Sequence, residues 1–245
     1  MTQETIIGVK TKLDKYTVLA LVVSLILYPL LYSLDFFSEF IFPLAAEGWP
    51  YNVFEEDARS GWWWFWTGNF FYHWVPALFV WLCLYKNKET WESIGVSLAW
   101  YAKRKYSITG VIVALVVAAF VLPDIYYGDN LPQHSQTIYF APISTNERLF
   151  MIVMAITTGV TEEVLFRGFA FTRLKRLINN PWLILPITLV SFLLIHGQPD
   201  NLGRSLHYII GGCAFGISFI LFKLKRLELL IVVHFFINAS LALAP

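Results

Sequence analysis

Glu162-Glu163-Val164-Leu165-Phe166-Arg167-Gly168 places three ionisable side chains inside a stretch otherwise built for lipid. The run from Leu149 to Thr161 before it is uncharged and apolar, and the apolar character resumes through Phe169, Ala170 and Phe171. A charged side chain in hydrocarbon costs about 2.5–3.5 kcal/mol on insertion scales, so three together require a reason, and that reason is usually chemistry or transport. On a helix, Glu163 and Arg167 stand four residues apart in acid-then-base order and share a face. They neutralise each other, which lowers the cost of burying both. Glu162 lies about 100° around the helix and is left without that partner. The spacing therefore divides the labour: Glu163 and Arg167 support, and Glu162 is free to act as a general base.

Two more polar sets recur downstream. Phe192-Leu193-Leu194-Ile195-His196 puts Phe192 and His196 one helical turn apart, and His234-Phe235-Phe236-Ile237-Asn238 does the same for His234 and Asn238. At about 1.5 Å rise per residue, counting from the basic or aromatic end of each run puts Glu162, His196, His234 and Asn238 roughly 12–21 Å deep. All four then fall in the middle of a hydrocarbon core of about 30 Å. A buried carboxylate, two imidazoles and an amide at one depth can hold and deprotonate a water, then stabilise an oxyanion. Asn69 and His73 are also one turn apart and could line the same cavity, whereas His134 and His207 suggest no role.

These residues must be positioned by membrane helices. The 245 residues are 57% hydrophobic, 18% aromatic and 14% charged, with a mean hydropathy of +0.59. That composition is too apolar for a soluble domain, and the chain is too long for a single anchor. Apolar runs long enough to span recur throughout. They give seven expected spans: Tyr16–Leu34, Trp62–Tyr85, Tyr106–Pro123, Leu149–Phe171, Trp182–Gly197, Ser205–Phe222 and Leu229–Ala244. An eighth, re-entrant or interfacial segment is allowed over 36–46. The predicted fold is all-α: a polytopic transmembrane helical bundle of seven or eight spans in one domain, 1–245. Its catalytic cavity is expected between spans four, five and seven.

Charge supports the same plan. Lys10, Lys12 and Lys15 precede the first span, and the second, fourth and sixth connections are basic, as with Lys103, Arg104 and Lys105, Arg173 to Arg176, and Lys223 to Arg226. The first connection is acidic (Glu39, Glu47, Glu55, Glu56, Asp57), and the third carries Asp124 and Asp129. Positive loops mark the cytoplasmic side, so the N-terminus is expected there and the C-terminus outside. No cleavage site precedes Asp35, so the first span reads as a retained helix. Trp62, Trp63, Trp64 and Trp66 suit an outer aromatic belt. Thr90 begins a pattern expected to form a cytoplasmic amphipathic helix over Lys88–Lys105. Gly212 and Gly216 have the small-xxx-small spacing of close helix packing. Cys83 and Cys213 both fall within apolar spans and read as small buried hydrophobes.

The three sets together resemble the CPBP family of intramembrane proteases, which includes the CAAX prenyl endopeptidases of the Rce1 type. Glu162-Glu163 with Arg167 matches its EExxxR motif, Phe192 with His196 its FxxxH motif, and His234 with Asn238 its HxxxN/D motif, in the family's order. The resemblance implies a glutamic-type endopeptidase in which Glu162 and His196 hold the catalytic water. It also implies that Glu163 and Arg167 support the site and that His234 and Asn238 form an oxyanion hole. It implies a prokaryotic cytoplasmic-membrane protein, a substrate that is a peptide or protein in or at the bilayer, and no nucleic-acid partner. The fold family handles prenylated C-terminal peptides, bacteriocin-related peptides and surface-protein anchors, and the sequence chooses none of them.

Three alternatives stay open at this point. No cofactor is expected, but Glu162, His196 and His234 have ligand chemistry acceptable to zinc. A transporter using Glu162 as an ion site would predict a repeated half, and no internal repeat is present. An immunity-type protein could use the same fold to bind a peptide.

Overall fold

The computed structural model describes residues 13–33, 56–96, 142–196 and 202–243. Among these the chain is helical throughout, with no strand. Six helices follow one another: α1 (Lys15–Ser33), α2 (Glu56–Asn87), α3 (Thr145–Leu174), α4 (Pro181–Leu194), α5 (Leu202–Leu221) and α6 (Leu227–Leu243). They correspond to six of the seven expected spans. The remaining span, Tyr106–Pro123, and the 36–46 segment lie outside the described residues.

Local chemistry sets the helix starts. Asp14 caps α1, accepting from the backbone N–H of Tyr16 at 2.9 Å and of Thr17 at 3.0 Å. Its other oxygen accepts from Thr17 Oγ1 and from Asn87 Nδ2, which ties the start of α1 to the end of α2. Burial works to raise the Asp14 carboxyl, but the Thr17, Asn87 and Tyr16 hydrogen bonds outweigh it and hold the group below its ordinary value. Ser144 and Glu147 form a reciprocal capping box at the head of α3. Asn180 caps α4, with Pro181 in the first turn where its missing N–H costs nothing.

Two helices, α1 and α3, are long and apolar enough to cross a membrane, and α4, α5 and α6 contain shorter apolar stretches. The outer surface of the bundle carries large apolar side chains, including Leu19, Phe71, Val75, Leu183, Val190 and Ile210. Helices that satisfy their own backbone groups and turn such side chains outward are consistent with a membrane-embedded bundle.

The interior is organised around α3. From Glu163 to Phe171 every residue is buried, and these nine residues form a π-helix rather than an α-helix. A second π turn, Val23–Leu27, interrupts α1 beside it. Wide turns of this kind often lie at functional sites because they shift the side-chain register of the helix that follows. Phe166, Phe169 and Phe171 fill the space between α3, α4 and α5, with Phe166 edge-on to Phe192 and Phe171 edge-on to Phe219.

Close approach of α6 to α3 depends on Gly159. A Cβ there would stand 3.1 Å from the backbone nitrogen of Phe235 and 3.2 Å from the carbonyl oxygen of Ile231. The expected small-residue face of α5 is packed as anticipated: Gly212 lies against Leu189 and Phe192, and Gly216 against Leu185.

Two expectations need correction. Trp62 is fully buried against Phe150, Met151 and Met154, where the packing of α2 on α3 takes precedence over an interfacial belt. The segment after α2 is a single 3₁₀ turn, Trp91–Ile94, as far as Val96, with no side-chain cap from Thr90. Residues 97–105 of the expected amphipathic helix lie outside the described residues. The turn ends at Gly95, whose φ of +94° is a left-handed conformation open to glycine, and its carbonyl accepts from Leu227 N–H at 3.0 Å.

The α3–α6 crossing yields a direct expectation. Gly159→Val forces a branched side chain against the α6 backbone and should destabilise the bundle by about 1–3 kcal/mol, as overpacking does. Unfolding of the purified protein in a denaturing detergent series measures it, and an unchanged midpoint would contradict the close crossing.

Candidate functional site

The residues singled out by type and spacing converge from α3, α4 and α6. The i,i+4 pair forms: Arg167 Nη1 donates to Glu163 Oε1 at 3.0 Å, with both side chains buried. Arg167 is held on every side. Its Nη2 donates to the carbonyl oxygen of Gly212 at 3.3 Å, and its guanidinium lies over the rings of Phe192 and Phe215 at 4.4 and 5.4 Å. Phe192 thus acts on the arginine, through the face of its ring.

His234 joins the same pair. Its Nδ1 lies 2.9 Å from Glu163 Oε1. An ionised carboxylate only accepts, so Nδ1 carries the hydrogen and Nε2 offers its lone pair while the ring is neutral. That Nε2 faces Glu162 Oε2 at 3.9 Å. Glu163 is therefore shared between a guanidinium and an imidazole, and the imidazole is aimed at the neighbouring carboxylate. A carboxylate fixing the far nitrogen of a histidine sets its tautomer and orientation.

Glu162 is buried, and its Oε2 has no hydrogen-bond partner among the described residues. Buried polar atoms in folded proteins are nearly always satisfied, so an unpartnered carboxylate oxygen facing an imidazole lone pair requires a functional account.

His196 and Asn238 sit differently from expectation. α4 ends at Leu194, so His196 lies in the turn beyond it rather than on the helix. Its Nδ1 donates to the Phe192 carbonyl oxygen at 2.7 Å, satisfying one of the free carbonyls at the helix end. This leaves His196 Nε2 as an acceptor. The ring packs between Phe192 and Tyr208 and lies within electrostatic reach of His234. Asn238 Nδ2 donates to Thr158 Oγ1 at 2.8 Å, one turn before Glu162 on α3. One of its two amide hydrogens is therefore committed away from Glu162.

Further groups complete the surroundings. Phe215 packs on both Arg167 and His234, and Thr161 Oγ1, next to Glu162, donates to the Thr157 carbonyl at 2.8 Å. Tyr28 and Tyr32 of α1 lie within electrostatic reach of Glu162. Nothing in the spacing of Phe215 marked it, since it reads as one more aromatic between Gly212 and Gly216. Among the described residues, no three His, Cys, Asp or Glu side chains are grouped as a metal site.

The described residues form an all-helical bundle, consistent with a helical membrane protein, with a buried acid–imidazole centre. Residues 144–240 match the family described as Type II CAAX prenyl endopeptidase Rce1-like, in agreement with the resemblance carried by the three motifs. The segment runs from the capping serine of α3 into the last turns of α6, so it contains every site residue named above from Glu162 to Asn238. Neither curated proteins nor solved structures gave a match.

The ion pair carries a stability expectation. Arg167→Met leaves Glu163 buried beside His234 without its guanidinium. Removing one partner of a buried pair costs about 3–5 kcal/mol. Detergent unfolding should show that loss, together with a weakened hold on His234; a loss near zero would mean that Glu163 does not depend on Arg167.

Proposed function

We propose that the protein is an intramembrane endopeptidase of the glutamic type, hydrolysing a peptide bond of a membrane-associated substrate. One observation carries this reading: the buried Glu162 Oε2, without a hydrogen-bond partner among the described residues, faces His234 Nε2. In the proposed reaction Glu162 takes a proton from water, and the water oxygen attacks the scissile carbonyl carbon. His196 Nε2 is the second acceptor that orients the water. The carbonyl electrons move to oxygen. As the tetrahedral intermediate collapses, the proton passes to the leaving nitrogen and the C–N bond breaks.

Glu163 and Arg167 orient His234 in this scheme. His234 accepts at Nε2 when neutral and donates there once protonated, with Glu163 balancing its charge. Protonated from solvent before the attack, the imidazolium donates to the oxyanion at Nε2 and keeps that proton when the intermediate collapses, aided by the uncommitted amide hydrogen of Asn238. No step requires a metal. Glu162, His196 and His234 have ligand chemistry acceptable to zinc, but among the described residues they are not grouped as a metal site.

The family's description names prenylated CAAX peptides, so a farnesylated C-terminal peptide is the first substrate to offer. The site lies in a prokaryotic cytoplasmic membrane on this reading, with the N-terminus inside.

Glu162→Gln should lower cleavage of that peptide by the purified chain in liposomes by at least about 10²-fold, the usual worth of a positioned base. Folding and insertion should be retained. Undiminished cleavage would sink the reading, as would ion flux that depends on Glu162 without any proteolysis. Loss of activity in a chelator, restored by zinc, would replace the metal-free route with a zinc-dependent one.

A further inference from the structure

α1 and α2 lie outside the family-matched segment, yet they bring a third imidazole to the site. His73 of α2 is buried, its Nδ1 lies 2.9 Å from the Tyr28 hydroxyl of α1, and Thr161 Oγ1 of α3 is 3.5 Å away. It is within electrostatic reach of both His196 and His234. No role in the scheme above uses it.

The hydrogen bonds decide which ring nitrogen carries the proton. Thr161 has given its hydroxyl hydrogen to the Thr157 carbonyl, so toward Nδ1 it could only accept, and at 3.5 Å that contact is far weaker than the Tyr28 contact at 2.9 Å. Among the described residues the Tyr28 hydroxyl has no second acceptor, so if it did not donate to His73 its own hydrogen would be buried unpaired. A phenol donating to Nδ1 fixes the tautomer with hydrogen on Nε2. Tyr72 Oη donates to the Tyr28 carbonyl oxygen at 2.5 Å and the two rings pack together, so Tyr28 is held in place.

His73 therefore has the opposite polarity to its two neighbours. His196 and His234 commit Nδ1–H to protein acceptors and offer lone pairs at Nε2. His73 commits its lone pair and keeps a hydrogen. Three buried acceptors nearby in sequence lack hydrogen-bond partners among the described residues: Asn69 Oδ1, one turn before His73 on α2, and Glu162 Oε2 and Glu163 Oε2, which follow Thr161 on α3. The expected amide donor, Asn238, is half committed to Thr158.

We infer that His73, with its tautomer set by Tyr28, is a neutral hydrogen-bond donor to the developing oxyanion, supplied by the part of the chain before the family-matched segment. The inference rests on the proteolytic reading for the identity of the oxyanion, but not for the polarity of His73.

The test has two arms. In the first, the full chain labelled with ¹⁵N-histidine in lipid bilayers is studied by solid-state NMR, with the His73 signals assigned by their loss in His73→Gln. Hydrogen on Nε2 is expected, with the balance between tautomers shifting in Tyr28→Phe; hydrogen on Nδ1 overturns the inference. In the second, farnesylated-peptide cleavage is compared across variants. His73→Leu should lower kcat by about 10²–10³-fold with KM nearly unchanged, and His73→Gln, which keeps an N–H donor, should recover about tenfold or more of that loss. Equal losses in the two variants, or a loss confined to KM, overturn the inference. Absence of cleavage by the unmodified chain removes the proteolytic reading instead, and the NMR arm still decides whether His73 is a donor.

Discussion

Burying Glu163 is the constraint around which the centre is built. A carboxylate with no exposure to water must be met by charge and by hydrogens, and here one oxygen, Oε1, receives both Arg167 and His234. Meeting that demand fixes much else. Arg167 needs its own acceptor, which the Gly212 carbonyl provides, and it needs aromatic faces, which Phe192 and Phe215 provide. His234 is turned by the same oxygen so that its far nitrogen meets Glu162. Helices α4, α5 and α6 are thereby keyed to one atom of α3, while Glu162 Oε2 and Glu163 Oε2 have no hydrogen-bond partner among the described residues.

Much of this was legible in the sequence, for a definable reason. Charge in an apolar run is rare enough that its spacing carries information, so Glu163 and Arg167 declared themselves as a pair and Glu162 as the odd one. Helix existence followed from apolar runs, and the described helices agree with the expected spans to within a few residues apart from the longer α2. What stayed hidden was of two kinds. The π-helix over Glu163–Phe171 alters register through backbone hydrogen bonding that no residue type announces. The second kind is the committed hydrogen bond. His196 and Asn238 stand in the motifs read from the sequence, but a helix-end carbonyl and the Thr158 hydroxyl take one donor from each. Motif spacing places a side chain near a site and says nothing about which of its hydrogens are already spent.

Trp62 illustrates the limit from the other direction. An aromatic cluster at a span end has a ready interfacial explanation, and local composition offers nothing against it. Its burial against Met151 and Met154 is decided by where α3 lies, which is tertiary information.

The C-terminal end of α3 carries a second buried charge with a long reach. Arg173 is almost wholly buried, and its guanidinium is answered by Glu89 and by Ser93, residues of the connection after α2, while Arg176 takes the other Glu89 oxygen. The same connection lays the Ile94 carbonyl oxygen against Gly168 and receives Leu227 N–H at Gly95. Modularity is what this latch removes. A chain trimmed to 144–240 would contain every motif residue and still strand Arg173 inside the bundle without its counter-ion. The boundaries of a recognisable signature and those of a self-sufficient folding unit therefore part company here, and the sequence before the signature helps to hold the signature's geometry.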